Sequence, residues 1–266
     1  MNSGFHVLLL RTIAQTKTPV LSFEDTAGDV GLVWLSTESE TPEKINAALQ
    51  IACQEGHTEI VRMLLDPDRG IDPAANENQA LKIACCGGHT EIVRLLLDLP
   101  LERGVNPAVD DNLALRYTIR NGHTEIVRLF LELPLERGVD PAANDNEAII
   151  WACRNGHTEI VCLLLDLPLE KGVNPGNNKA LRNACCNGYL EIVRLLLELP
   201  LERGVNPAAN DYEALRIASK NGHTEIVRML KKTPLNLLVR NAVFFRPEEF
   251  VGDFWSDEIP LDGDCA

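Results

Sequence analysis

Gly122-His123-Thr124-Glu125-Ile126-Val127-Arg128 is the stretch that decides how this chain folds. It returns, whole or nearly so, at Gly56, Gly88, Gly156, Gly188 and Gly222, so its second residue falls at 57, 89, 123, 157, 189 and 223. Successive copies stand 32 or 34 residues apart. One supersecondary unit repeated six times cannot bury its apolar face alone, so each copy must stack on its neighbours. The period predicts a helical-repeat solenoid whose function lies on a long surface rather than in a pocket.

Working outward, each unit reads as two helices. In the fourth, Ala148, Ile149, Ala152 and Cys153 recur at helical spacing and predict a first helix over Glu147–Arg154. Asn155-Gly156 ends it, because glycine adopts positive φ at little cost. Ile160, Val161, Leu164 and Leu165 share one face of a second helix over 157–166, which Pro168 stops. Leu164 is matched by Leu64, Leu96, Leu196 and Leu230, with Phe130 in the third unit, so this position belongs to the core. The Glu and Arg of each Glu-Ile-Val-Arg are three apart on one helix and form an exposed pair contributing ~0.2–0.5 kcal/mol. Thr41-Pro42-Glu43 opens the first unit with an N-cap hydroxyl, a proline at the first helical position and an acid.

The block Glu213-Ala214-Leu215-Arg216-Ile217-Ala218-Ser219-Lys220-Asn221-Gly222-His223-Thr224-Glu225-Ile226-Val227-Arg228-Met229-Leu230 resembles the ankyrin repeat. The resemblance covers residues 41–232 in six in-phase copies. It implies an all-α stack of antiparallel helix pairs, joined by protruding β-turn or hairpin loops and binding proteins on the concave side. Three departures modify that expectation. Openings such as Glu147-Ala148-Ile149-Ile150 replace the family's Thr-Pro-Leu-His, so its usual histidine bonds are missing. The stretch Gly104 to Ala114 is too short for a regular hairpin and lacks an Asn-Gly turn, which predicts remodelled short loops. Leu-Pro-Leu-Glu is inserted after the second helix at 99–102, 133–136, 167–170 and 199–202, and its leucines are expected to pack sideways between units.

The ends read differently from the repeats. Residues 1–40 form either a cap over the first repeat or a loosely ordered arm, with Val7 to Ile13 a short apolar helix or strand. Thr233-Pro234-Leu235 resembles the opening of a seventh repeat and predicts a separate capping helix over 233–243. Residues 244–266 form an acidic tail that holds Phe244, Phe245, Phe250, Phe254 and Trp255.

Mean hydropathy of −0.06 and 45% apolar residues suit a folded, soluble chain. No apolar run approaches the roughly 18 residues of a membrane helix, and Phe5–Leu10 lacks the charged flank of a signal peptide. The net charge of −14 opposes a phosphate backbone, so nucleic acid is not the expected partner. Much of that charge lies outside the repeats: seven acids against Arg246 alone beyond residue 240. Eight cysteines without CxxC spacing favour reduced, cytoplasmic thiols over zinc or disulfides. Cys85, Cys153 and Cys185 read as buried small hydrophobes, while Cys86 and Cys186 take the more exposed position.

Function therefore falls to the surface. The motif histidines sit on successive units and are expected to order the turn between their own two helices. There is no Gly-x-Ser-x-Gly elbow and no phosphate loop, so neither catalysis, cofactor nor metal is expected. Positions that vary among the copies carry no shared packing duty: Gln54-Glu55, Cys86-Gly87, Arg120-Asn121, Arg154-Asn155, Cys186-Asn187 and Lys220-Asn221. In the family such positions face the partner. A second cationic position holds Lys82, Arg116, Arg182 and Arg216, and Tyr117 and Trp151 are equivalent aromatic positions. The candidate contact residues are Arg116, Tyr117, Arg120, Trp151, Arg154, Arg182, Arg216 and Lys220. They predict a monomeric protein-binding module that engages an acidic or mixed segment. A second reading is that the chain looks like ankyrin proteins that intracellular bacteria deliver into the host cytoplasm, with 244–266 as the secretion signal.

Overall fold

The computed structural model describes residues 20–24, 30–34, 42–168, 173–175, 178–200, 203 and 205–241. They belong to two compact units, one of Met1–Thr118 with Glu125–Val139 and one of Ile119–Thr124 with Asp140–Ala266. The first holds a strand pair, β1 (Val20–Glu24) and β2 (Val30–Trp34), then α1 (Pro42–Gln54), α2 (Thr58–Leu64), α3 (Ala75–Gly87) and α4 (Thr90–Leu97). It also takes most of α5 (Val109–Asn121) and α6 (Thr124–Leu131). The second holds α7 (Ala143–Asn155), α8 (Thr158–Leu165), α9 (Lys179–Asn187), α10 (Leu190–Glu198), α11 (Ala209–Lys220) and α12 (Thr224–Asn241).

Six helix pairs thus occur where the period places them, and α1 begins at Pro42. The repeats are all helical. In the first unit α1 packs on α3 and α2 on α4; in the second α7 packs on α9, α9 on α11, α8 on α10 and α10 on α12. The second helices bury Ile60, Val61 and Leu64 in the first repeat, and Ile160, Val161 and Leu164 in the fourth. Phe130 is buried as fully as the leucines it replaces. Each such side chain contributes about 1.5–3 kcal/mol on leaving water. The first helices present Ala52, Ala84, Ala152, Ala184 and Ala218, whose small side chains permit close approach. Thr118 takes that place in the third repeat, and its buried hydroxyl donates to the Ala114 carbonyl at 2.9 Å.

The strand pair lies in the stretch read above as an arm or cap. β1 runs antiparallel to β2, with Val20 opposite Trp34 and Glu24 opposite Val30. Both segments are rich in β-branched and aromatic residues, which favours a pleated pair. The Val7–Ile13 reading falls outside the described residues.

Between the helix pairs the described loops contain short 3-10 turns at Pro67–Arg69, Leu101–Arg103 and Leu135–Arg137, and no strand. Each following first helix opens with a left-handed turn. Asn76-Glu77-Asn78, Asp110-Asp111-Asn112, Asn144-Asp145-Asn146 and Asn210-Asp211-Tyr212 all have φ between 52° and 62°. Asn and Asp tolerate this region better than other side chains. The right-handed part of α7 therefore starts at Glu147, where the sequence places it, and Asn144 donates to the Glu147 carboxylate at 2.8 Å.

Side chains then tie each repeat to the next. The side-chain oxygens of Asn46, Asn78, Asn146 and Asn178 accept from the backbone N–H of Asp72, Asn106, Asn174 and Asn206. The guanidinium of Arg103 donates to the Leu65 and Ile71 carbonyls, and that of Arg137 to Leu99 and Val105. Arg203 donates to Leu167 at 3.0 Å.

Two expectations are corrected here. Leu101 and Leu135 of the inserted segments do not pack between units; they are 59% and 80% exposed. The 3-10 turn aims them outward, and the arginine two residues later takes the inward place because its planar fork satisfies two loop carbonyls. Residues 233–241 do not form a separate capping helix either. They continue α12, within which Thr233 donates its hydroxyl to the Met229 carbonyl at 2.9 Å instead of capping a new start. Residues 244–266 fall outside the described residues. No described helix is long and apolar enough to cross a membrane.

Candidate functional site

The repeat motif builds the site. Gly122 has φ 80°, which turns the chain sharply from the end of α5 into α6. A side chain there would meet the His157 ring at 2.5 Å, so glycine makes room for the histidine of the following repeat. Nε2 of His157 stands 3.2 Å from the Arg120 carbonyl oxygen, and Asn155 donates its amide to the same oxygen at 2.7 Å. The pattern recurs where Asn221 and His223 meet the Cys186 carbonyl, and where His89 meets that of Gln54. His89 and His157 make no side-chain bond to their own helices. The histidine thus acts across repeats rather than within its own turn, which corrects the expectation.

These bonds fix the backbone of Arg120 beside α7. Its guanidinium carbon lies 4.7 Å from the centre of the Trp151 ring, and that of Arg154, one turn along α7, lies 5.2 Å away. Two cations from neighbouring repeats therefore share one half-buried indole, each gaining ~0.5–1 kcal/mol. Both arginines are exposed. Among the described residues neither forms an ion pair.

Other expected contact residues are held by the scaffold. Arg116 donates to the Asp110 carbonyl at 3.2 Å and Arg216 to that of Asn210 at 3.4 Å, each closing its own left-handed turn. Arg182 pairs with Glu213 of the next repeat at 3.2 Å. The hydrogen bond from Asn210, and then Arg182, holds the Glu213 carboxyl below its ordinary range. Lys82 is buried and pairs with Asp110. Tyr117 is half-buried in the first unit, and Lys220 is exposed at the end of α11. The asparagine of the varying pair is not free for a partner: Asn155, Asn187 and Asn221 donate to carbonyls of the preceding repeat.

The reading above missed these asparagines, and also the left-handed turns. The signal for the turns was present in the in-phase runs rich in Asn and Asp at 76–78 (Asn-Glu-Asn), 110–112 and 144–146.

The cysteines divide as expected. Cys53, Cys85, Cys153 and Cys185 are buried, Cys186 is half-buried and Cys86 exposed. Burial pushes the Cys53, Cys85 and Cys185 thiols up to about 12, and raises that of Cys153, so these are poor nucleophiles. Among the described residues no group of three His, Cys, Asp or Glu side chains is placed to hold a metal ion. The Glu-Arg pairs of the second helices lie on the surface, as between Arg94 and Glu91 at 3.7 Å.

Comparison with known proteins bears on the whole arrangement. A family model described as ankyrin repeats (3 copies) matches residues 31–111, 99–177 and 167–241. A crystal structure of an ankyrin repeat domain from Acinetobacter baumannii AYE is similar, with TM-score 0.52 and 25% identity over 70% of this chain and 97% of that one. No curated protein matches the chain. With successive matches running through all six helix pairs, the chain belongs to the ankyrin-repeat family.

Proposed function

We propose that this chain is a non-catalytic binding module that grips an acidic segment of a partner protein at Arg120, Trp151 and Arg154. Ankyrin repeats generally mediate protein–protein interaction and generally do so without catalysis. The observation that carries the site is the convergence of two exposed guanidinium groups on one indole in a chain of net charge −14. Guanidinium forks suit carboxylates, and an indole beside them accepts an apolar side chain from the same segment. Because His157 and Asn155 fix the Arg120 backbone, little ordering is left to occur on binding.

The test is an array of peptides graded in acidic content, read with wild type and with Arg120→Glu/Arg154→Glu, both checked for equal helicity and melting temperature. Binding that rises with acidity and disappears in the folded double variant supports the site. Binding that persists there moves the contact elsewhere. Trp151→Ala should weaken the apolar part of recognition without altering charge selectivity.

A further inference from the structure

Resting on that reading of the Trp151 site, we infer that the site has a ligand within its own chain: the stretch from Phe250 to Glu258, which docks there and screens it from other segments. The complementarity is direct. Phe250-Val251-Gly252-Asp253-Phe254-Trp255-Ser256-Asp257-Glu258 carries three acids, three aromatics and no base. The site offers two guanidinium groups about one indole. Arg182 and Lys82, by contrast, already face carboxylates of the repeats. Arg120 and Arg154 are thus cationic positions to which the scaffold supplies no acid among the described residues, while the acids following α12 lie in a stretch almost without bases.

The reach is sufficient. α12 ends at Asn241, and α7 lies two packing steps from α11, through α9. Each step between packed helices is about 8–10 Å. The 18 residues of α12 carry the chain ~27 Å along its axis. The diagonal of these two displacements is about 34 Å. Twelve residues, from Asn241 to Asp253, span up to ~43 Å when extended. Docking brings an acid to each guanidinium and an aromatic ring to Trp151, without asking the repeats to move.

Hydrogen–deuterium exchange on the full chain at low concentration tests this. Amides of 250–258 are expected to exchange slowly in wild type and about tenfold faster in Arg120→Glu/Arg154→Glu. Adding Asp257→Arg/Glu258→Arg to that variant should restore protection, which a merely structural effect of the first pair would not allow. Asp253→Asn/Asp257→Asn/Glu258→Gln should lose protection and bind an acidic peptide more tightly than wild type does. Equal exchange in wild type and the arginine variant overturns the docking. So does protection that appears only at high concentration, which assigns the stretch to a second copy. If exchange is unaffected while acidic peptides still need Arg120 and Arg154, docking fails and the binding site stands. If the peptides do not need them either, both fail.

Discussion

The imidazole of His157 bonds to the carbonyl of Arg120 in the repeat before its own, and its ring occupies the space where Gly122 lacks a side chain. One residue therefore both joins two repeats and sets the backbone of the arginine that meets Trp151.

Gly122→Ala should lower stability by about 1–3 kcal/mol. Its φ of 80° is unfavourable for alanine, and the new methyl would meet His157 at 2.5 Å. Combining it with His157→Ala should remove the clash but not the backbone strain. Urea titration of both variants, with His157→Ala alone as the reference for the lost imidazole bond, separates the contributions.

Leu164→Ala should cost about 2–5 kcal/mol, because Leu164 is fully buried and its loss leaves a cavity. Leu135→Ala, at an 80% exposed side chain, should change stability by less than about 0.5 kcal/mol. Equal costs in denaturant unfolding would contradict the packing of the inserted segments described above.

Arg137→Met should cost about 2 kcal/mol, since the carbonyls of Leu99 and Val105 lose a charged donor. Arg137→Lys should rescue little. A single ammonium cannot reproduce the fork that spans both carbonyls. Thermal melts of the pair against wild type provide the comparison.

The buried thiols make stability depend on pH at the alkaline end. Below pH 9.0 they are neutral both folded and unfolded, so their contribution is fully present. Above it the unfolded chain ionises while Cys53, Cys85 and Cys185 stay protonated up to about 12, so stability falls as pH rises. Each thiol contributes a slope of up to ~1.4 kcal/mol per pH unit. Urea midpoints between pH 8 and pH 10.5 should show a shallower decline in Cys185→Ala than in wild type. Under native conditions a thiol reagent should modify Cys86 while leaving the four buried cysteines, Cys53, Cys85, Cys153 and Cys185, unmodified until the chain unfolds.

What the sequence made legible follows from repetition. Six copies of one apolar pattern locate both helices of every pair, and Leu64, Leu96, Phe130 and Leu164 are all buried as that pattern requires. The site was only partly legible. Arg120, Trp151 and Arg154 come together as their positions in successive repeats suggest, but Asn155 looked variable because Glu55 and Gly87 stand in its place elsewhere. Its acceptor is the backbone carbonyl of Arg120, and a carbonyl leaves no mark in sequence, since every residue has one. Arg103 and Arg137 were missed for the same reason, their acceptors being main-chain oxygens of the preceding loop. The continuation of α12 past Thr233 was obscured by Thr233-Pro234, a pair that favours a helix start, whereas in α12 the Thr233 hydroxyl bonds back to Met229.

The asparagines that bridge successive repeats carry a further consequence. Asn46, Asn78, Asn146 and Asn178 each hold out a short carbonyl arm to the loop of the unit that follows. In the sixth repeat the same place, at φ 57°, belongs to Tyr212, which has no acceptor at that short reach. A seventh unit grafted after α12 would lack this asparagine contact to its first loop. Anyone wishing to lengthen the array should begin by changing Tyr212 to Asn.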